Sequence, residues 1–223
     1  MPIPPHEDRQ AAGQTHRTDE DSNPLARPSS PRAGPLRRPV DMDLIRPARL
    51  EELEALNHLI TESARVLSTG FYSARQIEAL IRHVFGVDTQ LILDGTYHVI
   101  ERGGDLVACG GWSHRRTLFG GDQAKGGSDP DLDPGTEAAR IRAFFVHPTA
   151  ARQGLGRRLL SHCESEAHGA GFRRLELMAT LPGEPFYRTA GYEPLERIRH
   201  PLPDVPPVEM VRMGRSLQIG VGG

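Results

Sequence analysis

Two stretches of the chain carry apolar residues at helical spacing. Leu53, Leu56 and Ile60 recur three and four positions apart, which predicts an amphipathic helix. A second helix is expected after Ser73, because Ser73 and Gln76 form the pair of a capping box. The apolar face of this second helix repeats at the same intervals: Ile77, Leu80, Ile81 and Val84.

Other stretches favour extended structure. Residues 44–46 predict a short strand, and Pro47 keeps that strand away from the centre of a sheet because proline cannot donate to a ladder. Residues 97–101 and 106–109 are apolar runs on either side of a glycine-containing turn, which predicts a hairpin. Residues 208–213 alternate between apolar and polar side chains and predict a closing strand.

A strand–helix–strand unit follows in the second half of the chain. Residues 141–147 form the most apolar strand, residues 154–170 an amphipathic helix, and residues 175–179 a further strand. A short helix is expected over 185–190, where Gly191 stops it. Such a unit predicts an α/β fold with a mixed sheet whose strands are parallel at this point.

Composition divides the chain into segments. Residues 1–42 hold 8 of the 19 prolines and few large apolar side chains, so we expect a disordered tail rich in Pro and Arg. One ordered domain is expected over 43–218, with a flexible C-terminus at 219–223. Residues 117–137 are rich in glycine and predict a long loop, of the kind that is functional or disordered.

Charge and apolar content exclude several classes of partner. The net charge is −2, from 27 basic and 29 acidic residues, so no global positive field attracts nucleic acid or anionic lipid. No apolar run is long enough to span a membrane. Residues 1–7 have no apolar region of the kind a secretory signal requires, so we do not expect one. Cys109 and Cys163 give no disulfide framework. We therefore expect a cytoplasmic protein that binds neither nucleic acid nor membranes.

Residues 146–159 carry the clearest chemical motif. They run from the end of a strand through a short loop into a Gly-x-Gly turn, Gly154 to Gly156, at the start of a helix. The glycines allow a tight turn with outward N–H groups, and the helix start adds unpaired N–H groups and a positive dipole end. This arrangement predicts a phosphate or diphosphate site, to which Arg152 and Arg157 can add charge.

The turn has three alternative interpretations. A P-loop requires Gly-Lys-Ser/Thr, which does not follow. A dinucleotide fingerprint requires a third glycine where Leu159 stands, although Glu176 does lie 20 residues beyond Gly156. A glycine turn with a purely structural role before an amphipathic helix is also open.

Two motifs together resemble one enzyme family. The pattern Val-x-Pro, spacer, Arg/Gln-x-x-Gly-x-Gly/Ala over residues 146–156 resembles the acetyl-coenzyme A signature of the GCN5-related N-acetyltransferases. Residues 186–192, Phe-Tyr-Arg-Thr-Ala-Gly-Tyr, resemble the Phe-Tyr-x-x-x-Gly-Phe/Tyr element of that family. The resemblance covers about residues 43–217. Ala151 departs from the pattern, since the family usually has Arg or Gln there; the contact is either absent or supplied by Arg152.

The resemblance implies the acyl-CoA N-acyltransferase fold: one mixed, twisted sheet of about six to seven strands, flanked by about four helices, with a splayed parallel pair. It implies acetyl-CoA as the acyl donor. The pantetheine arm would hydrogen-bond the backbone of Phe145 and Val146 in the split. The diphosphate would be held at the glycine turn by Arg152, Gln153, Gly154, Leu155, Gly156 and Arg157.

The resemblance also implies a mechanism in which an amine attacks the thioester directly. Tyr187 matches the family's general acid, and a phenol with a pKa near 10 stays protonated at neutral pH and can donate to the departing sulfur. The base is open: His114, Glu137 and His147 are candidates, and a chain of waters is an alternative.

Two further candidates have less support: Trp112, and a set of possible metal ligands on the predicted helix over 154–170. Trp112 lines the acceptor pocket or belongs to the core. His162 and Glu166 share the polar face of the predicted helix, whereas Cys163 belongs to its apolar stripe, so these three do not predict a metal site. No metal is expected.

The favoured function is acetyl transfer from acetyl-CoA to a primary amine, most simply that of a small molecule, in a ternary complex. The alternatives are a protein or peptide acceptor and a non-catalytic domain that senses acyl-CoA. Residues 61–75 and 113–137 would form the acceptor surface and distinguish the first two. A homodimer is a possible assembly.

Overall fold

A computed structural model describes residues 43–217, which form a sheet with helices on both faces. The strands of this part are β1 (Leu44–Pro47), β2 (Tyr97–Arg102), β3 (Asp105–Ser113), β4 (Ala139–Val146), β5 (Arg174–Thr180), β6 (Glu193–Leu202) and β7 (Val205–Ser216). Its α-helices are α1 (Leu53–Leu67), α2 (Ala74–His83), α3 (Thr89–Leu93), α4 (Leu155–Gly169) and α5 (Glu184–Thr189). The predicted tail at 1–42 and the C-terminus at 219–223 lie outside the described residues.

The strand order is β1-β2-β3-β4-β5-β7-β6, and β4 and β5 are the parallel neighbours in an otherwise antiparallel sheet. Helix α4 connects them, as the strand–helix–strand unit predicts. The α/β class, the mixed sheet and the parallel pair are therefore confirmed. Pro47 ends β1 at the edge of the sheet, where its missing donor is harmless.

Alternation along β2 and β3 divides the core between the two faces of the sheet. Val99 and Cys109 pack in a buried cluster with α1, whereas Ile100 and Ala108 pack with the first turns of α4. Helix α2 covers β7 in a third cluster. No helix within residues 43–217 is both long and apolar enough to cross a membrane.

Two elements escape prediction from the sequence. Helix α3 has five residues, too few for an apolar period to show. Strand β6 lies at the edge of the sheet and is mostly exposed, so it lacks the alternation that marks a half-buried strand. Pro194 and Pro201 weaken its signal further, because proline is tolerated in edge strands only.

Candidate active site

A bulge in β4 shapes the centre of the sheet. Between the pairs Cys109–Phe145 and Gly111–Arg142, β4 has one residue more than β3. Ala143 takes up the extra length with φ +52°, and its carbonyl accepts a hydrogen bond from the Tyr97 hydroxyl at 3.2 Å.

The bulge depends on a glycine in the facing strand. The Phe144 ring lies across Gly110, where a Cβ atom would come within 2.7 Å of it. Any larger residue at position 110 would therefore force the ring or the strand to move. Phe144 also lines the cleft that is described below.

Beyond its first residues, β4 separates from β5. The parallel pairing consists of Ala139–Leu175 and Arg140–Glu176, and the rest of β4 is paired with β3 alone. The splayed strand pair is therefore observed at the predicted place. In the remainder of β4, one edge faces a gap rather than a neighbouring strand.

The register of β4 decides which peptide groups face this gap. The His147 N–H donates to the Val107 carbonyl at 2.9 Å, so these two residues form a hydrogen-bonded pair. From there, hydrogen-bonded and non-hydrogen-bonded pairs alternate along the antiparallel ladder. Phe145 then directs its peptide groups at β3, and Val146 directs its own at the gap. For the predicted backbone contact to pantetheine, this geometry favours Val146 over Phe145, whose side chain lines the cleft.

The gap opens into a cleft of about 250 Å³. Its walls come from α1, the loop at 117–121, β4, β5 and the segment leading into α5. The lining is predominantly apolar, including Phe85, Phe119, Met178 and Met210, and none of the described residues in it carries a carboxylate. We call residues 117–121 the wall loop.

The glycine turn borders the same cleft. Gly154 caps α4 with φ +83°, a conformation that glycine adopts without steric cost, and its carbonyl receives the first helical bond, from the Arg158 N–H at 3.0 Å. The amides of the first turn, at 155–157, therefore have no acceptor within the helix. Gly156 faces the cleft, since a Cβ there would lie 3.5 Å from the Phe186 ring and 3.7 Å from Val146.

The other predicted phosphate contacts surround this turn. Arg152 and Arg157 are exposed; Arg152 has φ +63°, and Arg157 donates to the Thr189 carbonyl at 3.3 Å. The Gln153 amide is held between Arg102, 2.7 Å away, and the Thr149 carbonyl, 3.1 Å away. The Leu155 side chain is buried, so only its backbone can contribute.

Tyr187 lies on α5 and is buried beside the cleft. It is 9% exposed, lines the cleft, and packs edge-to-face against Phe186 and Tyr192. Burial raises the pKa of its phenol well above the usual value of 10. The hydroxyl therefore remains protonated throughout the neutral range and can act as a proton donor, although not as a resting base.

The three candidate bases lie away from the cleft lining. His114 is paired with Asp94 at 3.5 Å and Asp131 at 3.1 Å. Glu137 accepts from the Asp133 N–H, and His147 caps the short turn that follows β4. None of the described residues lining the cleft is a histidine or a carboxylate, which leaves water as the proton acceptor that this geometry favours.

Trp112 belongs to the core. Its ring packs against Phe172 at 6.1 Å and its indole N–H donates to Glu166 at 2.9 Å. It does not line the cleft, which resolves the two interpretations of its role in favour of packing.

The sequence did not reveal what holds the wall loop. The Arg142 guanidinium is almost completely buried and donates to the carbonyls of Thr117 and Gly120, each at 2.7 Å. It also donates to Asp88 at 2.9 Å, and Asp88 is paired with Lys125. Because 26 of the 27 basic residues are arginine, an arginine at position 142 did not by itself indicate a special role.

Comparison with known proteins agrees with the two motifs. A model of the family described as "Acetyltransferase (GNAT) family" matches residues 54–192, more than half of the chain. A search of curated proteins finds no match.

Several solved structures share the fold. A GCN5-related N-acetyltransferase from Rhodopseudomonas palustris has a TM-score of 0.59 at 17% identity, covering 82% of this chain and 100% of its own. PaiA N-acetyltransferase from Thermoplasma acidophilum, in complex with coenzyme A, has a TM-score of 0.54 at 16% identity, covering 78% and 99%. YncA from Salmonella typhimurium, with its cofactor acetyl-CoA, has a TM-score of 0.52 at 15% identity, covering 82% and 98%.

Proposed function

The chain belongs to the GNAT acetyltransferase family, and from this premise we propose that it transfers an acetyl group from acetyl-CoA to the primary amine of a small molecule. One observation carries the proposal: the split between β4 and β5, the unpaired amides of α4 and the buried Tyr187 phenol all border one cleft. As a GNAT acetyltransferase, the protein is an acyltransferase enzyme.

The donor site is assigned by matching charge and shape. The amides at 155–157 and the positive end of α4 suit a diphosphate, and Arg152 and Arg157 add exposed positive charge beside them. The gap beside Val146 offers peptide groups to an extended amide chain such as pantetheine. Coenzyme A in the PaiA structure and acetyl-CoA in the YncA structure support this assignment.

The proposed chemistry is direct acyl transfer. A lysine-like amine has a pKa of about 10.4 and must first lose a proton. That proton passes to water, since the cleft residues within 43–217 include neither a carboxylate nor a histidine. The free nitrogen then attacks the thioester carbon and forms the C–N bond, and the Val146 N–H can stabilise the tetrahedral oxyanion. As the C–S bond breaks, Tyr187 donates its proton to the leaving sulfur, and the second proton lost by the nitrogen returns to the Tyr187 oxygen through water.

The size and lining of the cleft favour a small acceptor. A cavity of about 250 Å³ with apolar walls suits an amine carried on a compact apolar body. No acidic side chain among the described cleft residues would attract a basic peptide. A protein acceptor is the second candidate, since ribosomal-protein-alanine N-acetyltransferase from Brucella melitensis shares the fold at a TM-score of 0.52. The cytoplasmic location and the homodimer remain predictions.

The proposal is tested by measuring free thiol release from acetyl-CoA by the full-length protein. The panel contains alkyl and arylalkyl amines, polyamines, and peptides with free N-termini. We expect apolar primary amines to give the highest kcat/KM. Turnover confined to peptides would establish the second candidate instead. Binding of CoA without turnover of any amine would leave only an acyl-CoA sensor.

A further inference from the structure

A second cluster of reactive side chains lies on the face of the sheet that α4 covers, outside the cleft. His98 of β2, with His162 and Glu166 of α4, places one ligand atom each within 4.8 Å of the other two. His98 Nε2 lies 2.7 Å from one Glu166 oxygen, and His162 Nε2 lies 3.4 Å from the other. The two imidazole rings are 4.6 Å apart and nearly perpendicular.

The charge of Glu166 is left without a cationic partner. Within residues 43–217, its ion-pair partners are these two histidines, and neither lysine nor arginine contacts it. A carboxylate beside two imidazoles, with no lysine or arginine in contact among residues 43–217, is an electrostatic environment that a cation completes.

We propose that His98, His162 and Glu166 form a binding site for a divalent transition metal of the zinc class. Two imidazoles and one carboxylate are a ligand set that zinc uses, with bonds of about 2.0–2.2 Å. Such bonds place neighbouring ligand atoms roughly 3.3 Å apart. The observed ligand atoms lie within 4.8 Å of one another, so metal binding would draw them together by rotation of the partly exposed His162 and Glu166 side chains. Imidazole ligands disfavour magnesium and calcium, which take oxygen ligands.

The surroundings fit this assignment. The Trp112 indole N–H donates to Glu166 at 2.9 Å and orients the carboxylate, as outer groups commonly do at metal sites. The side chains of His162 and Glu166 are 38% and 35% exposed, which gives a metal a path from solvent and leaves room for water as a fourth ligand. The site joins α4 to β2, and this proposal departs from the expectation that no metal binds.

The test uses the full-length protein without an affinity tag. Calorimetry and thermal unfolding are measured with zinc chloride, with magnesium chloride at equal concentration as the control. We expect zinc to bind and to raise Tm, and magnesium to do neither. Cobalt chloride supplies an independent readout, because its visible absorption reports nitrogen coordination.

Variants locate the site. His162→Ala removes a partly exposed ligand and should lower the zinc affinity by at least about tenfold, as should Glu166→Gln. His58→Ala removes an exposed histidine from α1 and should leave the affinity unchanged. The proposal is overturned if wild-type protein does not bind zinc, or if His162→Ala binds it as tightly as His58→Ala. The result does not depend on acetyl transfer.

Discussion

The two edges of β4 behave differently over the same few residues. On the side of β3, β4 remains paired as far as Val146 and accommodates one extra residue in the bulge at Ala143. Toward β5, pairing stops after Arg140. Peptide groups in a protein interior require partners, so an edge left open at the centre of a sheet is a place for a ligand.

The two sides of the cleft also differ in whether main-chain or side-chain groups build them. The open edge and the α4 turn offer main-chain groups to a ligand. The wall loop, on the other side of the cleft, is held by the Arg142 side chain. One strand therefore borders both the backbone groups that we propose to hold the donor and a wall loop whose carbonyls its Arg142 side chain binds.

Arg142→Met should give the largest effect. It removes the hydrogen bonds to Thr117, Gly120 and Asp88, and leaves buried acceptors without a donor. We expect a loss of about 3 kcal/mol in the free energy of unfolding, measured by urea denaturation, and a raised KM for the acceptor.

Arg140→Met is the matched control for that variant. Arg140 lies two residues earlier on β4 and pairs with Glu176. In the variant, Glu176 still has an ion pair with Arg212. We expect the free energy of unfolding to fall by about 1 kcal/mol or less. Equal destabilisation by the two variants would contradict the anchoring role of Arg142.

Tyr187→Phe should have the next largest effect. Removing the proton donor is expected to lower kcat by about 10²-fold, about 2.7 kcal/mol, while the affinity for CoA measured by calorimetry is unchanged. Tyr192→Phe is the control, because its hydroxyl bonds Glu164 and does not line the cleft. Equal turnover in the Tyr187 and Tyr192 variants would remove the phenol from the mechanism.

Gly156→Leu should have the smallest of these effects. The new side chain would project toward Phe186 and Val146 and occupy the mouth of the gap. We expect CoA to bind about tenfold more weakly, about 1.4 kcal/mol. At Gly169, in the last turn of the same helix, an added Cβ atom meets no atom within 4 Å, so Gly169→Leu should bind CoA normally. An unchanged affinity in the Gly156 variant would place CoA elsewhere.

Much of the fold could be predicted because its signals are local. The capping box of α2 is observed, with the Ser73 hydroxyl accepting from the Gln76 N–H. Apolar periods located α1 and α4. Edge strand β6 escaped because an exposed strand has little apolar pattern to detect.

The candidate site was predictable only where one segment supplies it. The glycine turn and Tyr187 each lie in a short motif. The anchoring of the wall loop by Arg142, and the meeting of His98 with Glu166, join residues far apart in the chain. A single sequence does not show which distant residues come into contact. The bulge at Ala143 could not be predicted for the same reason, since it depends on packing against another strand.

The attachment of the wall loop has a consequence for how acceptor preference can change. Arg142 binds carbonyl oxygens, which every amino acid supplies, so this anchor does not depend on the side chains that the loop displays. Leu118 lines the cleft and can therefore be exchanged while the anchor is kept, whereas Phe119 also packs against the His200 ring. Under the proposed function, a descendant enzyme could acquire a new amine through changes at Leu118 while inheriting its thioester chemistry, and directed evolution can begin at that codon.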